Sequence, residues 1–312
     1  MNATFRIQRY NPEKDAQPYF QDYTLDGLDG TFRVLDALHE IKWKHDGTLT
    51  FRRSCAHGMC GSDGMRINGK NGLACALLLK DINTSKPIVI EPLPYLPIIK
   101  DLAVDQTDFF KKYEMVKPYL ITEGAAPEKE RLQSYDDAEL LMEPTKCIMC
   151  GCCTTSCPSL WSNENYLGPA AMLKGFRFAF DSRDAAPEQH LDAMDSQDGV
   201  WRCHTVFNCV EACPKCVAPM NQIMRLRRIA SAMACTASSW STIRSWIRSS
   251  RWRSFARSLS SMRETGIPVQ RATISATSSA STSSLSIFFS RWASSSRRAS
   301  SARRFSSSPR RP

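Results

Sequence analysis

No stretch of this sequence approaches 18 uninterrupted apolar residues, so no segment is expected to cross a membrane as a helix. The opening residues, "MNATFRIQRYNPEKD", have neither an apolar core segment nor an Arg/Ser-rich amphipathic leader, so no secretory signal or transit peptide is expected. There is no G-x-G-x-x-G, the cradle that brings a strand–helix turn against a dinucleotide pyrophosphate. Lysine is missing from 231–312, and Glu264 is the sole acid there.

That last absence changes how the net charge of +10 is read. Of 41 Lys and Arg, 14 are arginines within 231–312, leaving 27 basic and 30 acidic side chains in 1–230. The basic character therefore belongs to the C-terminal segment alone. Of its 82 residues 27 are Ser, and its apolar residues keep no steady period, so it cannot bury enough surface to fold by itself. It reads either as an arginine/serine arm attracted to phosphate or as off-frame translation of a GC-rich gene. Recurrent Trp and Phe suit a solvated arm poorly, so the off-frame reading is preferred and no nucleic-acid partner is expected.

What is abundant is cysteine. Thirteen cysteines in a chain with no expected export signal point to metal ligation, because disulfides are rare in a reducing compartment.

Residues 1–105 read as a small mixed domain. "TFRIQRY" and "FQDYTLD" alternate as paired strands do, and Phe32, Leu35, Leu38 and Ile41 recur at helical spacing. "MRINGKNG" carries the Asn-Gly of a tight hairpin, and "KPIVIEPL" reads as a further strand. The fold class expected is α+β: an N-terminal β-grasp domain, then an all-α domain over 106–230, then the anomalous segment 231–312. Helical periodicity in "TDFFKKYEMVKPYL", "SYDDAELLME" and "GPAAMLKGFRFAFDSR" supports the middle part.

Three cysteine constellations carry the chemistry. In "SCAHGMCGSDGMRINGKNGLAC", Cys55 and Cys60 have the C-x4-C spacing of plant-type [2Fe–2S] ferredoxins. The next ligand position is Asp63, and the fourth candidate is Cys75. Gly58, Gly61 and Gly64 allow close wrapping with N–H groups aimed at sulfur. Asp63 either ligates iron through a carboxylate oxygen or caps a turn while another group completes the site. Zinc is the alternative for the whole stretch, although a Gly-rich C-x4-C loop is unlike a zinc knuckle.

In "KCIMCGCCTTSCP", Cys147, Cys150, Cys153, Cys157 and Pro158 match C-x2-C-x2-C-x3-C-P at every place, with Cys152 out of register as an unligated thiol. "RCHTVFNCVEACPKC" repeats the pattern through Cys203, Cys209 and Cys213 but has Val206 at the second position. In two-cluster ferredoxins the fourth cysteine of each run serves the other cluster. Applied here, Cys147, Cys150, Cys153 and Cys213 hold a [4Fe–4S] cluster. Cys157, Cys203 and Cys209 then face a site lacking one thiolate, and a [3Fe–4S] cluster is expected. Cys216 is either a substitute ligand or an ordinary residue on a helix approach. No role is expected for Cys235.

On these motifs, with "YLGPAA" and "DSRD", residues 1 to about 230 closely resemble the iron–sulfur subunit family of succinate dehydrogenase (respiratory complex II) and its relative fumarate reductase. Some members have aspartate at the position of Asp63; most have glycine where Cys216 stands. The C-terminal segment resembles nothing in the family. The resemblance implies a partner flavoprotein with covalent FAD, which agrees with the missing phosphate cradle. It also implies cytochrome b-type membrane-anchor subunits and a quinone substrate, at the cytoplasmic face of a bacterial inner membrane. The family's quinone pocket carries over to Pro158, Ser159, Trp161 and His204, with Ser162 where many members have a second Trp. His204 suits proton or hydrogen-bond delivery, or else bonds sulfur or backbone. Trp161 could equally serve as interface packing. A fumarate reductase subunit and a soluble electron-transfer module of another dehydrogenase are the alternatives.

Overall fold

A computed structural model describes residues 2–236. The expectations attached to the Ser/Arg-rich segment concern residues beyond this span, apart from its first few positions. Met1–Ala230 form one compact unit.

Alternation sets the first strands. β1 (Ala3–Arg9) turns Ala3, Phe5 and Ile7 inward and pairs antiparallel with β2 (Tyr19–Leu25), Phe5 opposite Tyr23. Helix α1 (Val34–Glu40) buries Val34, Leu35, Ala37 and Leu38, and a π-helical turn at Ile41–His45 extends it. Phe32 departs from expectation. It precedes the helix and stays partly exposed, since the chain enters α1 from an extended Arg33.

β3 (Gly64–Ile67) and β4 (Lys70–Leu73) form the hairpin foreseen from Asn-Gly. Asn68 and Gly69 have φ of +48° and +80°, the left-handed pair that a two-residue turn of this hand requires. β5 (Ile88–Glu91) runs parallel to β1 and antiparallel to β3, giving the order β2-β1-β5-β3-β4. This mixed sheet shares one apolar cluster with α1, the expected β-grasp arrangement. A separate small hairpin, β6 (Ile98–Lys100) with β7 (Ala103–Val104), was not foreseen.

The inward Arg9 ends β1 and is buried with its charge compensated. Its guanidinium donates to Asp101 at 3.0 Å, Gln21 at 3.0 Å and Thr48 at 2.8 Å, and it pairs with Asp46. Asp101 also accepts from the backbone of Tyr10 and Thr50, tying β1 to the loop before the first cysteine run. Burial alone would raise the Asp46 carboxyl. Hydrogen bonds from Thr48, Tyr23 and Arg9 outweigh it and hold that carboxyl well below the usual range.

From Thr107 onward the described elements are helical: α2 (Thr107–Met115), α3 (Tyr135–Thr145), α4 (Cys152–Thr155), α5 (Pro158–Ser162), α6 (Gly168–Ala179), α7 (Pro187–Met194), α8 (Asn208–Glu211) and α9 (Pro219–Thr236). Ser134 caps α3 by accepting from the Asp137 amide. α6 is buried on most of its surface and packs against α2, α3, α4 and α7. The "DSRD" stretch locks its exit. Asp181 is gripped by Arg177 and Arg183, and Asp184 meets buried His190 at 3.1 Å while accepting from the Ile121 and Ala186 amides.

Candidate metal centres

The first constellation comes from the loop ahead of β3, with Cys55, Cys60 and Asp63, and from Cys75 just after β4. Ala56 and Gly58 have φ of +55° and +70°, and this alternation turns successive amides inward. The amides of His57, Met59 and Cys60 point at Cys55 Sγ from 3.3 to 3.4 Å, and that of Gly58 at Cys75 Sγ from 3.2 Å. Such donors favour sulfur carrying negative charge. Hydrogen bonds from Ser62, and the backbone of Cys55, pull the Cys60 thiol down to about 6.

Asp63 is 3% exposed. Its Oδ2 accepts from the Cys75 amide at 2.6 Å, so the turn-capping role is real. It accounts for one oxygen only: Oδ1 is buried and has no hydrogen-bond partner. Burial, then the adjacent Asp63 carboxylate, push the Cys75 thiol up to about 12. A buried carboxylate beside buried sulfur, with one oxygen unused, fits a cation between them.

The two C-x2-C runs share a backbone design. Met149 and Gly151 have φ of +54° and +80°; Thr205 and Phe207, at the same offsets from the first cysteine, have +60° and +69°. α4 and α8 each begin five residues after that cysteine and pack together. Two cavities result. One is walled by Cys147, Cys150 and Cys153 from the first run and Cys213 from the second. The other is walled by Cys203 and Cys209 from the second run and Cys157 from the first. Val206 also lines this second cavity and is 50% exposed. Burial pushes the Cys153 thiol well up, and the Cys209 thiol to about 12. Thiolates can exist there only beside positive charge such as iron supplies.

Cys152 is fully buried and turned toward Gly64, and Cys216 is exposed; neither lines a cavity. Cys216 adopts φ of +53°, a conformation glycine takes without strain. Among the described residues no three His, Cys, Asp or Glu side chains stand close enough to hold a single metal ion. One zinc draws its thiolates to within about 4 Å of each other, whereas a cluster takes one thiolate per iron and spreads them.

The first and second constellations touch. A Cβ on Gly61, whose φ is +70°, would lie 2.7 Å from Cys150 Cβ, and Asn71 bonds Thr155 at 2.8 Å. Close approach is what Gly61 provides.

Of the four residues expected at a quinone pocket, Pro158, Ser159 and His204 line the second-run cavity. Trp161 does not. Its Nε1 donates to the Thr155 carbonyl at 2.9 Å, and its 43%-exposed ring stacks on Tyr95 at 5.1 Å and 13°. The sequence reading missed Tyr95, which comes from the loop before β6 with φ of +62°, and Tyr166, which lines the second-run cavity. "YLGPAA" contains Tyr166, but an aromatic residue ahead of an apolar helix reads as core.

Two family models match the chain: a 2Fe-2S iron–sulfur cluster binding domain over residues 4–111 and a 4Fe-4S dicluster domain over residues 139–214. The sequence is 47% identical over 227 residues to the succinate dehydrogenase iron–sulfur subunit of Coxiella burnetii, covering 72% of this chain and 95% of that one. The chain belongs to the succinate dehydrogenase iron–sulfur subunit family. A second relative in that family, the mitochondrial succinate dehydrogenase [ubiquinone] iron–sulfur subunit of Candida glabrata, is 45% identical over 228 residues, covering 72% of this chain and 90% of that one. A chain of the Mycobacterium smegmatis Sdh1 complex in the apo form shares the fold, with a TM-score of 0.66 at 24% identity over 74% of this chain and 96% of that one. Membership makes this an electron-relaying subunit of an oxidoreductase complex, with [2Fe–2S] and [4Fe–4S] domains and the family's [3Fe–4S] cluster. The zinc and independent soluble-module alternatives fall away.

Proposed function

We propose that this chain links a flavoprotein subunit, where succinate is oxidised to fumarate, to a quinone bound against membrane-anchor subunits. The observation that carries the reading is the division of seven cysteines between two cavities, four in one and three in the other, each containing one residue from the opposite run. In this reading residues 1–105 are the [2Fe–2S] module, with Cys55, Cys60, Asp63 and Cys75 as ligands. Residues 106–230 are the two-cluster module: Cys147, Cys150, Cys153 and Cys213 hold [4Fe–4S], and Cys157, Cys203 and Cys209 hold [3Fe–4S].

When bound, the clusters supply single-electron steps. The residues around them set distance, potential and access. Gly61 lets the first loop lie against Cys150, which shortens the gap between two centres. Backbone amides on Cys55 and Cys75 stabilise negative sulfur. His204, exposed at the second-run cavity, is available to deliver a proton to a reduced quinone, with Pro158 and Ser159 beside it. Trp161, anchored at one edge and open on a face, offers an aromatic surface to quinone or anchor. In this reading anchor subunits hold the protein at the cytoplasmic face of a bacterial inner membrane; no described helix is long and apolar enough to cross one.

The test uses the purified complex. Trp161→Ala and His204→Ala should each slow succinate-driven quinone reduction while succinate oxidation by an artificial acceptor at the flavin stays intact. Loss of both activities together overturns the quinone role. Comparing succinate oxidation with fumarate reduction in the same complex decides between this reading and fumarate reductase.

A further inference from the structure

The Tyr166 side chain is 0% exposed, between the end of α5 and the start of α6; its Oη meets no nitrogen or oxygen partner, and the side chain it faces is Cys203. The backbone amide of Tyr166 already closes the local turn onto the Asn163 carbonyl at 3.1 Å. A phenylalanine would bury the same ring without a hydroxyl to desolvate. The hydroxyl therefore calls for an acceptor other than nitrogen or oxygen of the fold, and sulfur on the cavity wall is the acceptor it faces.

The direction of that acceptor follows from what surrounds the ring. Tyr166 lines the cavity walled by Cys157, Cys203 and Cys209. A phenol, with an ordinary pKa of about 10, is a neutral donor at neutral pH. No tyrosine lines the four-cysteine cavity.

We infer that Tyr166 donates a hydrogen bond to sulfur of the three-iron cluster, either the Cys203 thiolate or a neighbouring sulfide, and thereby raises that cluster's potential. The inference rests on the cluster reading of this cavity given above. The physics is one of sign. An added electron concentrates negative charge on sulfur, a donor stabilises that charge more in the reduced than in the oxidised state, and reduction becomes easier. Because no buried phenol lines the four-iron cavity, the effect of this hydroxyl falls on the three-iron centre.

The test is an anaerobic redox titration of the intact complex carrying Tyr166→Phe, following the paramagnetic signals of all three clusters. At fixed poise the ratio of reduced to oxidised three-iron cluster should fall about tenfold, which for one electron is about 59 mV. The other two midpoints should stay where they are. A three-iron signal with an unchanged midpoint overturns this inference alone, as does an equal shift of all three clusters. Absence of a three-iron signal from the unmodified complex overturns the cluster reading together with it. Should the variant fail to assemble, tyrosine labelled with 17O at the hydroxyl decides in the unmodified complex, because Tyr166 is the tyrosine lining that cavity. Hyperfine coupling of that label to the three-iron cluster is expected, and its absence overturns the proposal.

Discussion

The runs at 147–157 and 203–213 are two solutions of one backbone problem. Each places left-handed residues two and four positions after its first cysteine, then starts a short helix at the fifth. At the second ligand position the first run has buried Cys150 and the second has half-exposed Val206. The backbone signature survives this exchange, so the chain path does not depend on the fourth thiolate. What the exchange alters is the number of sulfur donors facing the cavity. We propose that iron content is set here by a side chain, on a scaffold that would accept either outcome.

The severest test breaks the exchange of fourth ligands between the runs. Cys213→Ser should abolish the four-iron cluster of the first-run cavity, and Cys157→Ser the three-iron cluster of the second. Mössbauer and paramagnetic resonance spectra of each complex read this directly. If each variant instead damages the cluster of its own run, the crossed assignment is wrong.

A smaller effect is expected from swapping the residues that distinguish the runs. Val206→Cys should replace the oxidised-state three-iron signal with a four-iron cluster, while Cys150→Ala should create a second three-iron signal. Retention of the original cluster types in both variants would show that another group, Cys216 included, supplies a ligand.

Asp63 extends the comparison to a mixed donor set. Asp63→Cys should keep a [2Fe–2S] cluster with an altered potential, because thiolate gives iron more charge than carboxylate. Asp63→Ala should leave it labile to chelator. An alanine variant with the original spectrum and potential would reduce Asp63 to the turn cap it makes with the Cys75 amide.

The mildest effect lies outside all cluster loops and serves as their control. Asp46 has a depressed folded-state pKa, so its contribution is complete above the ordinary carboxylate range near 3.9 and is lost as pH falls through the lower folded value. Asp46→Asn should cost about 2 kcal/mol at neutral pH, from hydrogen bonds to charged partners. It should also flatten acid unfolding monitored by circular dichroism, with cluster spectra unchanged until unfolding begins.

The alternating strands, the Asn-Gly hairpin and α1 were legible because periodicity and turn chemistry are local. The cysteine spacings were legible because a cluster demands fixed sulfur offsets. Phe32 was misjudged since the residue that starts a helix depends on the chain entering it. The β6–β7 hairpin is too short to leave a period. Left-handed Met149, Thr205 and Phe207 carry no glycine to announce them. Trp161 was assigned to the quinone pocket by resemblance; what the sequence did not show is that the five-residue α5 stacks it on an aromatic partner 66 positions upstream.

The sequence by itself determined how many sulfur donors each run offers and at what offsets, because those are matters of residue type and spacing. Only the tertiary structure decided that Gly61 lies against Cys150, that Trp161 stacks on Tyr95, and that the Tyr166 hydroxyl is buried at the second-run cavity. Those facts depend on packing between elements far apart in the chain, where shape and burial rule, and no local pattern encodes them.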